Sequence, residues 1–201
     1  MAHFNHQSKQ KSKVMAILDN EMGGINESNV SPQQVIIKYG LISAGVAVVS
    51  TLLTNMMGLM SKGFGTIALV GLVSITIGIL ILVYAVKEHR DQQLGGLISF
   101  KRVFLVAFGV MLLSGIINQL FSYAYMNFIN PNAISEIMES TRSMMEKMSV
   151  PEEAIEKAIS EAELSAKSPM SIVKGFASTA VIGAIIAAIM GAVMKKVPRP
   201  F

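Results

Sequence analysis

Half of this chain carries no charge. It has 17 basic and 13 acidic residues in 201, and they are very unevenly placed. Uncharged gaps of 23, 24, 33 and 20 residues separate Lys38 from Lys62, Lys62 from Lys87, Arg102 from Glu136 and Lys174 from Lys195. Surface helices of soluble domains keep a polar face, so charges recur every few residues. A bilayer core of about 30 Å takes roughly 20 apolar residues to cross. Each gap is long enough, which excludes a soluble globular enzyme and a disordered chain. The formal charge of +4 and a pI near 9.3 would suit nucleic acid. Beside membranes, basic clusters instead serve topology and anionic headgroups, so no nucleic-acid partner is expected.

Cysteine is absent. That excludes a disulfide framework, a thiolate nucleophile and a cysteine metal site. Also missing are H-E-x-x-H, a P-loop and a G-x-S-x-G elbow. No Asp, Glu, His, Lys or Arg lies deep in an apolar segment, whereas ion-coupled transporters and voltage sensors place ionisable groups there. Serines occur in those segments with no His or Lys to activate them. A non-enzymatic protein without a cofactor is expected.

What is present predicts an all-α polytopic membrane protein. Spans are expected at about 35–60, 64–86, 103–128 and 172–194, within a membrane domain covering 35–196. Residues 1–34 read as a flexible basic tail, with a short interfacial helix around Ser12–Met22, and 197–201 as a short C-terminal tail. Residues 1–34 lack the apolar stretch of a secretory signal, so the first span serves as an uncleaved signal-anchor. Ser61-Lys62-Gly63 suits a tight turn, Gly95-Gly96 a second one, and Asn130-Pro131 ends the third span. Between spans three and four, 131–171 reads as an extramembrane amphipathic helical hairpin. Its first helix carries Ile134, Ile137, Met138, Thr141, Met145 and Met148 on one face. Its second carries Ile155, Ala158, Ile159 and Ala162, with Ser149 and Glu152 as a capping box before it.

Four spans put both termini on one side. Eleven basic residues fall on that side and six on the other. The excess predicts cytoplasmic termini in a bacterial inner membrane, with the hairpin in the periplasm.

Four groups of residues are candidates for function. Lys87, Arg90, Lys101 and Arg102 crowd one short loop, where each basic side chain is worth about 1 kcal/mol against an anionic leaflet. His89 sits among them and reads as interfacial. Asn118 and Gln119 fall mid-span, as a polar lining or, by default, as satisfied interhelical contacts. Gly183, Ala187 and Gly191, beside Ala180, Ala184, Ala188 and Ala192, make a small-residue packing face. Its partner is open, either span one through Gly40 and Ala44 or another protomer. Methionines at 56, 57 and 60 and at 138, 144, 145 and 148 could hold Cu(I) but serve ordinarily as flexible packing. His3 and His6 on the tail read as solvated.

Tyr84-Ala85-Val86-Lys87, Arg90-Asp91, Gly95-Gly96, Ile98-Ser99-Phe100-Lys101 and the aromatic end of span three through Asn130-Pro131 form a set. With Lys38-Tyr39-Gly40, that set resembles an uncharacterised family of small four-helix bacterial inner-membrane proteins classed as a domain of unknown function. The resemblance runs from about Val35 to Lys196 and implies a membrane location, with no substrate, cofactor or catalytic residue. The expected role is a scaffold or accessory subunit acting through helix packing and the hairpin. The partners would be anionic lipid and either a second copy or another membrane protein. The alternative is a small transporter or oligomeric channel lined by polar residues of span three.

Overall fold

The four uncharged stretches become the four longest helices: α1 (Gln33–Met56), α2 (Phe64–Glu88), α3 (Phe100–Ala124) and, after two shorter helices, α6 (Met170–Met194). Each has 24 or 25 residues, or about 36–38 Å at 1.5 Å per residue. All four are long and apolar enough to cross a membrane. The shorter pair, α4 (Ala133–Lys147) and α5 (Glu152–Lys167), is amphipathic. The protein is described by a computed structural model covering residues 27–168 and 170–197. The Ser12–Met22 segment, His3, His6 and residues 198–201 lie outside the described residues. No strand occurs among the described residues; one isolated bridge joins Ile98 to Lys196.

Helix ends differ from the sequence expectation where backbone chemistry intervenes. α1 stops at Met56, because Gly58 takes a left-handed conformation at φ 57° and a 3-10 turn, Leu59–Lys62, follows. α2 and α3 instead run on into π turns, His89–Gln93 and Tyr125–Ile129. Gly95 and Gly96 both have positive φ and make the expected turn before α3. The capping box is not formed. Ser149 has φ 58° and ends α4, its N–H bonding to Glu146 while that of Val150 reaches Met145. That is the Schellman pattern, with serine at the position glycine usually holds. Pro151 caps α5 without a side-chain bond, and Glu152 pairs with Arg142 at 2.6 Å.

α3 is the axis of the bundle. Its small residues let α1 and α6 approach closely. A Cβ on Gly109 would lie 2.7 Å from Ile36, and one on Gly40 2.6 Å from Leu113, across the α1–α3 contact. Across α3–α6, a Cβ on Gly115 would lie 2.5 Å from Thr179, and one on Gly191 2.8 Å from the Phe100 ring and 3.2 Å from its carbonyl. The row Gly183, Ala187, Gly191 is buried and is spent on α3 within the chain. The α1 positions Gly40 and Ala44 are buried as well.

The core is not spread evenly along the bundle. It gathers Val35, Leu82, Val86, Leu94, Ile98, Val103 and Val106 at the end that carries the 89–99 connection. The buried hydrophobic residues of α2 are Leu82, Ala85 and Val86, all in its last two turns. Farther up, Leu69, Leu72, Val73, Ile75 and Ile79 are exposed. α2 is therefore anchored at one end and stands off at the other.

Gly191→Val should destabilise the fold by about 1–3 kcal/mol, because the extra carbons force α6 off the Phe100 backbone. Gly45→Ala, whose new Cβ meets nothing within 4 Å, should stay within about 0.5 kcal/mol of the parent. Thermal unfolding in mild detergent checks the pair.

Candidate functional site

The stand-off of α2 opens a groove against α1 and α3. α1 contributes one helical face: Ser43, Ala47, Ser50, Thr51 and Thr54 recur at i, i+4, i+7, i+8 and i+11. α3 and the π turn that continues it contribute Asn118, Ser122 and Tyr125 at i, i+4 and i+7, and α2 faces them with Ser74 and Gly78. Together they enclose a cavity of about 360 Å³. A neighbouring cavity of about 440 Å³ shares Ser43, Ala47, Ser74, Gly78 and Asn118 and reaches Gln119 and Thr179. Such volumes suit small-molecule sites. A third cavity, about 360 Å³, continues from Thr54 and Asn55 to Glu136 and Glu139 of α4.

No acidic or basic residue lines the first two cavities. Their polarity comes from hydroxyls and amides, and much of it is uncommitted. Thr51 donates to the Ala47 carbonyl at 2.9 Å, and Ser122 donates to Asn118 Oδ1 at 3.3 Å. Among the described residues, Ser43, Ser50 and Ser74 make no side-chain hydrogen bond, and the Asn118 amide nitrogen donates to none. Gln119 behaves as the default predicts. Its amide donates to the Ser171 carbonyl of α6 at 3.3 Å and packs on Gly175. The sequence reading thus finds Asn118 and Gln119 and splits their roles. It misses the Ser43–Thr54 face, although its helical spacing is there to read.

The four basic loop residues also separate. Lys87 and Lys101 are exposed. Arg90 forks onto Asp91 at 2.7 and 3.0 Å. Arg102 turns inward and donates to the carbonyls of Glu27 and Val30. Glu27 in turn accepts from the Ser99 N–H at 2.7 Å and the Ser99 hydroxyl at 2.6 Å. Ser99 caps α3, and a carboxylate there complements the positive helix end. Glu27–Val30, read from sequence as part of a flexible tail, is therefore tied to the start of α3. His89, among the basic residues of this loop, is buried by the protein itself. It is 0 % exposed, with Nδ1 at 2.7 Å from Gln93 Oε1 and Nε2 unbonded among the described residues. Opposite, Glu88 accepts from Lys38 at 2.6 Å and Tyr39 at 2.8 Å, joining α1 to α2 at the anchored end.

Met56, Met57 and Met148 are exposed, and no group of three or more His, Asp or Glu side chains is placed to hold a metal among the described residues.

Four membrane-length helices around an uncharged polar groove define an all-helical protein compatible with a multi-pass membrane location. The chain belongs to the family described as Protein of unknown function (DUF4199), whose model matches residues 38–196. That is nearly the stretch the Lys38-Tyr39-Gly40 and Tyr84–Asn130 residues indicated. No curated protein and no solved structure matches the chain. The family description assigns no activity, so roles rest on geometry.

Glu27→Gln removes the charge from the α3 cap and should cost about 1 kcal/mol. Amide hydrogen exchange at Phe100–Arg102 should quicken severalfold. Unchanged exchange there would mean the Glu27 contact contributes nothing.

Proposed function

We propose that this is a non-enzymatic, multi-pass protein of the bacterial inner membrane that binds and passes a small molecule through the groove between α1, α2 and α3. The observation that carries this reading is the convergence of uncommitted polar groups from three helices, Ser43 and Ser50, Ser74, and Asn118, on one cavity. Unpaired amides and hydroxyls in hydrocarbon cost several kcal/mol. A bound molecule that satisfies them recovers that cost. This favours the transporter alternative over a pure scaffold for a specific reason. The small-residue row Gly183, Ala187, Gly191, which suggested assembly, is spent on α3.

In this reading both termini are cytoplasmic, supported by the eleven-to-six excess of basic residues on their side. α4 and α5 form a periplasmic hairpin above the groove, supported by their charged faces and the Arg142–Glu152 pair across the turn. Exposed Met148 and Leu164 favour a second role for that hairpin as an accessory contact for another membrane protein.

Native mass spectrometry after gentle extraction tests the groove without naming its ligand. The parent protein should carry an adduct, reduced severalfold in an Asn118→Leu/Ser74→Leu variant and in the milder Ser50→Ala. Identical adduct patterns in all three proteins would contradict the reading.

A further inference from the structure

The groove also constrains what it can bind.

The first constraint is charge. No Asp, Glu, Lys, Arg or His lines either of the two connected cavities. Holding an ion at that depth without a counter-charge is costly. This disfavours amines, carboxylates and phosphate esters in the groove itself.

The second is position. Ser43 is the eleventh residue of α1 and Ser74 the eleventh of α2. At 1.5 Å per residue each lies about 15 Å from its helix start, near the middle of a hydrocarbon core of about 30 Å. Ser43 and Ser74 therefore lie near mid-bilayer, whereas Ser50 and Asn118 lie about 26 and 27 Å along α1 and α3, nearer the far ends of those helices.

The third is access. α2 is buried at Leu82, Ala85 and Val86, yet exposes Ile75 and Ile79 beside the groove, and Ser74 itself is exposed. Ile75 and Ile79 line the second cavity, so the wall of the groove is continuous with the outer apolar surface of the bundle. At that depth the surface meets lipid chains, and the opening is sideways into the bilayer. A hydrophilic solute would have to cross hydrocarbon to use that opening, whereas at its other end the first cavity continues past Thr54 and Asn55 toward Glu136 and Glu139.

Resting on the groove-binding reading above, we propose that the ligand is an uncharged lipid bearing hydroxyl and carbonyl groups, of the diacylglycerol type, which enters sideways from the bilayer past α2. Its hydroxyl and ester oxygens meet the Asn118 amide and the Ser43, Ser50 and Ser74 hydroxyls. Its chains lie against Val70, Ile77 and Ile81 of α2. The anchored end of α2, held by the Glu88 contacts to Lys38 and Tyr39, stays fixed while the lipid is admitted at the other end.

The test uses the full chain in vesicles of phosphatidylethanolamine and phosphatidylglycerol. The vesicles are doped with a diazirine-chain diacylglycerol or with the same diazirine chain on phosphatidylglycerol. After irradiation, the diacylglycerol probe should mark peptides covering 43–54 and 70–81 several times more than the anionic probe. An excess of unlabelled diacylglycerol should suppress that labelling. Asn118→Leu should lower it about tenfold, the loss of one to two hydrogen bonds. Ser74→Ala, on the loosely packed helix, should lower it severalfold with unchanged thermal stability, which separates binding from folding. Equal labelling by both probes, or labelling insensitive to competitor and variants, would overturn the proposal. So would crosslinks joining two copies through the α2 face. If an adduct survives gentle extraction but proves charged or water-soluble, the lipid class fails while the groove reading stands. If neither adduct nor label appears, both fail together.

Discussion

Everything in this structure depends on how closely other helices approach α3. Inside a bilayer no hydrophobic force draws helices together, since lipid chains are as apolar as leucine. Association rests on van der Waals contact, which decays within an ångström of separation. α3 gains that contact through Gly109 and Gly115 on its own surface and through Gly40 and Gly191 on its neighbours. α2 has glycines too, but Gly65, Gly71 and Gly78 meet nothing within 4 Å. It is held instead by Leu82, Ala85 and Val86 and by the polar clasp at Glu88. A helix fixed at one end and unpacked at the other leaves a wedge-shaped space. That space is the groove.

The fold was legible in the sequence because its signal is a long-range absence of charge. Four gaps mark four helices, and Asn130-Pro131 and Gly95-Gly96 mark two of the breaks. What was not legible depends on which faces meet. The small-residue row of α6 looks the same whether it serves α3, α1 or another protomer. The Ser43–Thr54 face passed unread because serine and threonine in apolar helices usually bond back to their own backbone, as Thr51 does to Ala47. Only the opposing Ser74 and Asn118 give that stripe a meaning. Ser149 and Glu152 have the spacing of a capping box, but the left-handed turn at Ser149 takes the serine to end the preceding helix. Likewise nothing local joins Glu27 to Ser99, 72 residues away, and nothing local marks His89, the first residue of the π turn, as buried.

The absence of charge at depth has two consequences that agree. Proton relays and ion pairs of coupled transport use ionisable side chains at depth, and the four uncharged stretches hold no Asp, Glu, Lys or Arg. The absence also leaves hydroxyls and amides as the polar side chains of the first two cavities, the chemistry on which the proposal of a neutral oxygen-bearing ligand rests. Acidic side chains, Glu136 and Glu139, line the third cavity. The basic end is built differently, with Arg102 and Glu27 committed to each other's backbone surroundings and Lys87 and Lys101 left outward. One end of the bundle is thus a fixed platform, and the other is where the space opens.

The central claim is that α2 is anchored at its Glu88 end and free along the groove. Because the chain has no cysteine, paired spin labels can be placed cleanly. One pair, Tyr84→Cys with Leu105→Cys, reports the anchored end, and another, Val73→Cys with Ile116→Cys, reports the open end. Electron-resonance distance measurement in lipid nanodiscs should give a narrow distribution for the first pair and a broad one for the second. Equally narrow distributions at both ends would show α2 packed along its whole length and would contradict the account.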